Sequence, residues 1–154
     1  MATEIERKFL VRESPVTGET PGTSIVQGYL PTSDTELSIR ARLVPDSGFL
    51  AIKGPREGRI RMEVECEIPR EMAELLVDTC GEEVVAKIRY PIFVGGRVWA
   101  VDVFQDRNEG LILAEIELTH PAEEFLLPAW CGPEVTDDDR YYNPYLADHP
   151  FTAW

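Results

Sequence analysis

The chain is short of the residues that most chemistries need. Of its 154 residues only three are cysteine and two are histidine. Cys66, Cys80 and Cys131 are odd in number, and their spacing matches no zinc pattern. They read as small apolar residues kept reduced. His120 and His149 stand alone in loop-like segments, which argues against histidine catalysis. No apolar run approaches the ~20 residues of a membrane span. No basic segment leads into a long apolar stretch near the N-terminus, so a cytoplasmic location is expected. Basic residues are outnumbered, 15 against 28 acidic, for a net charge of -13. That deficit argues against a nucleic-acid partner or an anionic membrane surface, both of which select basic footprints. Nucleophile elbow, phosphate loop and dinucleotide fingerprint are all missing.

What is present is alternation. Segments 3–11, 25–30, 36–44, 49–53, 60–68, 84–92, 97–104 and 111–118 read as short strands. Pro45-Asp46-Ser47-Gly48 and Gly95-Gly96 read as hairpin turns. Gly54 to Gly58 and Gln105 to Gly110 read as longer loops. Helices are expected from Pro69 to Thr79 and from Pro121 to Leu127. The tail from Asp137 carries Tyr141, Tyr142, Tyr145, Phe151 and Trp154 and is expected to cover an end or side of the sheet. No repeat or linker divides residues 1–154, so one domain is expected. Eight strands joined by turns suggest a mainly β, antiparallel sheet closed into a barrel, with a few short helices outside. A barrel of that size can hold a small ligand.

The charges within those strands are ordered. Alternate residues of a strand share a face. Glu4, Glu6 and Lys8 therefore point one way, with Ile5 and Phe9 opposite and Arg7 on the outer side. Arg40 and Arg42 share a face, as do Glu63 and Glu65, Lys87 and Arg89, and Glu115 and Glu117; Lys53 stands alone. A sheet with one wet face also alternates, so any single pair is ambiguous. Together, six cations and six carboxylates cancel. Setting them aside leaves nine basic and 22 acidic residues to carry the whole net charge. A neutral set of charges facing a barrel interior is costly unless each finds a partner. Phosphate oxygens on the cations and hard divalent metal ions on the carboxylates would satisfy both.

These segments carry a family resemblance. Glu4-Ile5-Glu6-Arg7-Lys8-Phe9-Leu10, Gln27-Gly28-Tyr29-Leu30, Ile39-Arg40-Ala41-Arg42, Ile52-Lys53-Gly54 and Glu63-Val64-Glu65 occur in family order. Lys87-Ile88-Arg89-Tyr90, Asp102-Val103-Phe104, Ala114-Glu115-Ile116-Glu117 and Val135-Thr136 through Arg140-Tyr141 follow. The chain resembles CYTH-domain proteins of the triphosphate tunnel metalloenzyme superfamily, and its start is most similar to the bacterial inorganic triphosphatase branch. The resemblance implies an eight-stranded barrel whose tunnel grips a triphosphate through Lys8, Arg40, Arg42, Lys53, Lys87, Arg89 and Arg140. It implies that Glu4, Glu6, Glu63, Glu65, Asp102, Glu115 and Glu117 hold Mg²⁺ or Mn²⁺. Glu4, Glu6 and Lys87 become the candidate catalytic residues of a metal-assisted hydrolysis, with Lys87 at the leaving group. Asp106 and Asp139 depart from the family, which commonly has Gly and Lys there.

The expected activity is hydrolysis of tripolyphosphate to pyrophosphate and phosphate by a monomer or homodimer acting on a small molecule. A nucleoside or thiamine triphosphatase and a class IV adenylate cyclase are alternatives, for which Trp99, Trp130 or Tyr29 could stack a ring. A polyphosphate-binding module without turnover is the alternative outside enzymes.

Overall fold

A computed structural model describes residues 2–33, 36–58 and 60–154, with the backbone alone for Ala2 and Thr3. Alternation becomes nine strands: β1 Ala2–Val11, β2 Thr23–Leu30, β3 Ser38–Leu43, β4 Gly48–Glu57, β5 Ile60–Ile68, β6 Val84–Val94, β7 Arg97–Phe104, β8 Ile112–Glu117 and β9 Cys131–Glu134. The order is β5-β4-β3-β2-β6-β7-β8-β1, and β1 pairs back onto β5. The closing register sets Glu4 against Arg61 and Ile5 against Ile60. Eight antiparallel strands thus form a closed barrel without free lateral edges. The short β9 adds to β1 beyond the closure, through Phe9↔Glu134 and Val11↔Cys131. Sequence alternation is too brief there, and broken by Gly132-Pro133, to announce a strand.

Two expectations change. The Gly54–Gly58 segment is largely strand: β4 runs to Glu57, with a register shift between Lys53 and Arg56 that absorbs Pro55. The helix expected over 121–127 does not form. The chain turns at Pro121-Ala122, where the Glu123 carboxylate accepts from the Thr119 amide at 2.7 Å, and then runs irregularly. Phe125 is drawn instead into an aromatic cluster with Phe9 and Trp99, whose ring centroids lie 6.2 and 5.6 Å away. The 69–79 helix does form, as α1 (Arg70–Thr79), and buries Ala73 and Val77 against β2, β3 and β4. Gly48 permits this close approach: a Cβ there would lie 2.2 Å from that of Ala73.

Burial follows from which face each strand turns outward. Ile5, Phe9, Trp99, Val101, Ala114 and Ile116 form a core outside the barrel wall, covered by the 118–131 segment. A second cluster fills one end of the barrel: Val85, Phe104 and Leu113 from the walls meet Leu146 and Ala147 of α2 (Asn143–Asp148). So α2 acts as an end-piece, while α1 lies outside. Along β1 the inward residues read Glu4, Glu6, Lys8, Leu10; along β8 they read Glu117, Glu115, Leu113. Charge therefore gives way to apolar contact in passing from one end to the other. No described helix is long and apolar enough to cross a membrane.

Candidate functional site

The barrel interior gathers the charges that alternation placed on one face. Lys8, Arg40, Arg42, Lys53, Lys87 and Arg89 line one cavity together with Glu4, Glu6 and Glu115. They come from five different strands, so only closure of the barrel brings them together. Glu117 adjoins them, across β1–β8 from Glu6, in a space shared with Glu4, Glu6, Arg89 and Glu115.

Each buried charge answers to named neighbours. Lys8 is 1% exposed; its Nζ lies 3.1 Å from Glu115 Oε1 and donates to the Tyr141 carbonyl at 3.2 Å. Burial works against the Lys8 charge, but Glu115 and Glu6 outweigh it and raise the pKa. Lys53 reaches Glu4 at 2.7 Å, and Arg40 donates to Glu65 at 2.9 Å and to Glu63 at 3.4 Å. Lys87 and Arg89 converge on Asp102, at 2.6 Å each. Asp102 has no exposed surface. Burial resists its charge, yet Lys87 and Arg89 hold its carboxyl below the usual range. Lys87 differs from Lys8: burial pushes its pKa down to about 8 despite Asp102, and Arg89 adds to the effect.

Two groups lack compensation. Glu6 is raised to about 7, first by burial and then by Glu115. Arg42 is lowered to about 10, first by burial and then by Arg40 and Arg89. Its Nε is buried and, among the described residues, has no acceptor; the same holds for the Nε of Arg40. The interior thus holds a carboxylate short of positive charge and a guanidinium short of negative charge.

Not every expected residue joins the cavity. Arg140 lies apart from it: its guanidinium is exposed and pairs with Asp138 at 2.6 Å, outside the tunnel. It falls in a short turn, 139–141, whose backbone carries the side chain outward. Asp102 lies behind Lys87 and Arg89, with both oxygens taken. Glu63 and Glu65 are turned toward Arg40. Among the described residues, no three carboxyl, imidazole or thiol groups stand close enough to hold an ion as they are. Trp99 and Trp130 lie in or against the outer core and cannot stack a ligand in the tunnel.

Other lining residues escaped sequence reasoning: Ser38, Arg56, Arg61, Tyr142 and Asn143. Tyr142 sits 4.0 Å from Lys8 Nζ and 4.1 Å from the Arg56 guanidinium, and Asn143 Oδ1 accepts from Lys87 at 3.3 Å. The alternation of Arg61 with Glu63 and Glu65 was a usable signal; the tail residues gave none. Asp106 adopts φ 54°, a left-handed conformation that suits Gly and that Asp tolerates better than most residues.

A closed barrel whose bore interleaves six cations with carboxylates defines a charged-tunnel protein. No family model matches the chain. It is 41% identical over 98% of its length to an inorganic triphosphatase of Acetivibrio thermocellus, covering 97% of that protein. A second inorganic triphosphatase, from Nitrosomonas europaea, is 36% identical, with 94% of this chain and 97% of that one aligned. The crystal structure of the inorganic triphosphatase NE1496 superposes with a TM-score of 0.70 at 35% identity, over 96% of this chain and 95% of that one. A putative adenylate cyclase from Bacillus halodurans shares the fold at 16% identity and a TM-score of 0.56, over 79% and 84% of the two chains. The chain belongs to the inorganic triphosphatases of the CYTH, or triphosphate tunnel, superfamily.

Proposed function

We propose that this protein hydrolyses inorganic tripolyphosphate to pyrophosphate and phosphate, using Mg²⁺ or Mn²⁺. One observation carries the reading: all six patterned cations line a single cavity, and one of them, Arg42, carries a buried Nε with no partner among the described residues. The near full-length likeness to two inorganic triphosphatases supports it.

The donor set fits a hard divalent cation, since it is all carboxylate with no imidazole or thiolate. Glu6, crowded by Glu115 and Glu4 and raised to about 7, is the group that most needs a cation beside it. Glu4, Glu6, Glu115 and Glu117 would hold the metal, with Glu63 and Glu65 extending the set on β5, the strand that adjoins β1 at the closure. Bound there, a divalent metal would neutralise phosphate oxygens and acidify water. Asp102 is a positioning residue, fixing Lys87 and Arg89.

Lys8, Arg40, Arg42, Lys53 and Arg89 bind non-bridging phosphate oxygens. Arg supplies forked donors and Lys a compact charge. Glu4 and Glu6 orient a water and take its proton. The water oxygen bonds to the terminal phosphorus, the bond from phosphorus to the bridging oxygen breaks, and pyrophosphate departs. Lys87, held by Asp102 and Asn143, offers a proton to that departing oxygen; a pKa of about 8 suits the transfer. The protein acts on a small molecule as a monomer or homodimer. Three cysteines without a disulfide accord with the cytoplasm.

The deciding experiment is a substrate panel of tripolyphosphate, ATP and thiamine triphosphate with Mg²⁺ or Mn²⁺. Phosphate release fastest from tripolyphosphate is the expected result. Tight binding without release would make the protein a binding module, and cyclic AMP from ATP would make it a cyclase.

A further inference from the structure

Lys87 is held by two groups of different kinds. Asp102 sits on β7, the strand beside β6, so the barrel wall sets its position. Asn143 sits on α2, which is not part of that wall, and its Oδ1 accepts from Lys87 Nζ at 3.3 Å. That is the long end of a hydrogen bond, so a small shift of α2 away from β6 breaks it. Where α2 rests therefore decides whether Asn143 holds Lys87.

Apolar contact and a few directional ties seat α2. Leu146 and Ala147 pack against Val85, Phe104 and Leu113. Contact of that kind is non-directional and lets a six-residue helix slide or roll. At the start of α2, the Tyr142 hydroxyl donates to the Thr136 carbonyl at 2.7 Å. At its end stands Asn108, which is 1% exposed and belongs to the single-turn helix Asp106–Asn108 between β7 and β8.

The sequence explains why a partner is needed there. A helical carbonyl accepts from the amide four residues on, and for Leu146 that residue is Pro150, which has no N–H. Asn108 Nδ2 supplies the missing donor, at 3.3 Å from the Leu146 carbonyl. Asn108 Oδ1 accepts the Phe151 amide at 2.8 Å, just past the proline. One side-chain amide thus bridges the break with one donor and one acceptor, which a carboxylate cannot do. Leu146 lies three residues from Asn143, less than one turn, so a tie at one is felt at the other.

We propose that Asn108 is a positioning residue for the hydrolysis: it fixes the seat of α2 and thereby keeps Asn143 on Lys87. This role rests on the reading of Lys87 as the group at the departing oxygen. Asn108 does not line the cavity and acts only through α2.

The test is a double-mutant cycle in kcat and KM on tripolyphosphate with Mg²⁺, each variant assayed below its own calorimetric melting temperature. Asn108→Asp keeps the size of the side chain and the bond from Phe151 but loses the donor to Leu146. Asn143→Ala removes the acceptor from Lys87. Each is expected to lower kcat about tenfold, the order of one hydrogen bond to a charged group, with KM unchanged. The two together are expected to cost no more than one, because they break the same link. Asn108→Ala carries the same expectation without burying a charge. Unchanged kcat in the Asn108 variants, with or without a lower melting temperature, would overturn the positioning role. So would a double loss equal to the product of the single losses. Either result leaves the triphosphatase reading standing. Normal turnover by Lys87→Met would remove the role of Lys87, and that of Asn108 with it. No phosphate release by the unaltered protein would remove both the triphosphatase reading and the role of Asn108.

Discussion

Lys87 Nζ lies 2.6 Å from Asp102 Oδ2, with neither side chain reaching solvent. Removing one partner of a buried pair leaves the other uncompensated, at about 3–5 kcal/mol. Asp102→Ala is therefore expected to lower the melting temperature by about 10 °C. It also removes the charge that supports Lys87, so the limb of the pH–rate profile governed by Lys87 moves below about 8. Calorimetric melting and a pH–rate profile check the two halves separately.

Arg42 carries the opposite sign. Its buried Nε is unpaired, and burial with Arg40 and Arg89 brings its pKa down to about 10. Arg42→Met is expected to keep or raise stability, by about 1 kcal/mol or 2–4 °C. The same change removes a phosphate donor and lowers kcat/KM on tripolyphosphate by about 100-fold. A variant that is less stable and equally active would contradict the assignment.

Glu6 sets a pH dependence in metal-free protein. Its folded pKa of about 7 exceeds the unfolded value of 4.5, so the native state binds more protons between the two. The contribution is stabilising below pH 4.5 and is lost as pH rises through 7. Denaturant titrations in chelator are expected to show stability falling over that window, and Glu6→Gln is expected to flatten the fall.

With metal present, Glu6→Gln and Glu117→Gln are each expected to cut turnover by about 100-fold or more, since even indirect metal partners are worth 10–100-fold. Their far-ultraviolet dichroism is expected to match the unaltered protein. Near-normal rates in both would detach the carboxylate cluster from catalysis.

Arg140→Ala is expected to leave KM for tripolyphosphate unchanged, because Arg140 is engaged by Asp138 outside the tunnel. A severalfold rise in KM would show that the tail folds inward over bound substrate.

Alternation made the barrel legible because inward and outward faces carry such different residues here: Glu4, Glu6 and Lys8 on one side, Ile5 and Phe9 on the other. It could not reveal which strands adjoin, so the meeting of Lys87, Arg89 and Asp102 became visible only with the β6–β7 register. Alternation also fails where the chain is irregular. Tyr142 and Asn143 reach the cavity from a tail with no period, and Phe125 left its expected helix for partners distant in sequence. The placement of Arg140 outside the cavity was illegible for a related reason. A basic residue beside an aromatic one reads the same whether the turn beneath it faces in or out.

The pairing inside the tunnel also bears on how its ligands arrive. Lys53 holds Glu4, while Lys8 and Arg89 share Glu115, so cations and carboxylates already serve as one another's counter-ions. An anion entering alone must strip cations from acids, and a metal entering alone must strip acids from cations. When both enter, each takes the partner the other releases. Substrate and metal are then expected to bind as a partner exchange, each tightening the other by the same factor.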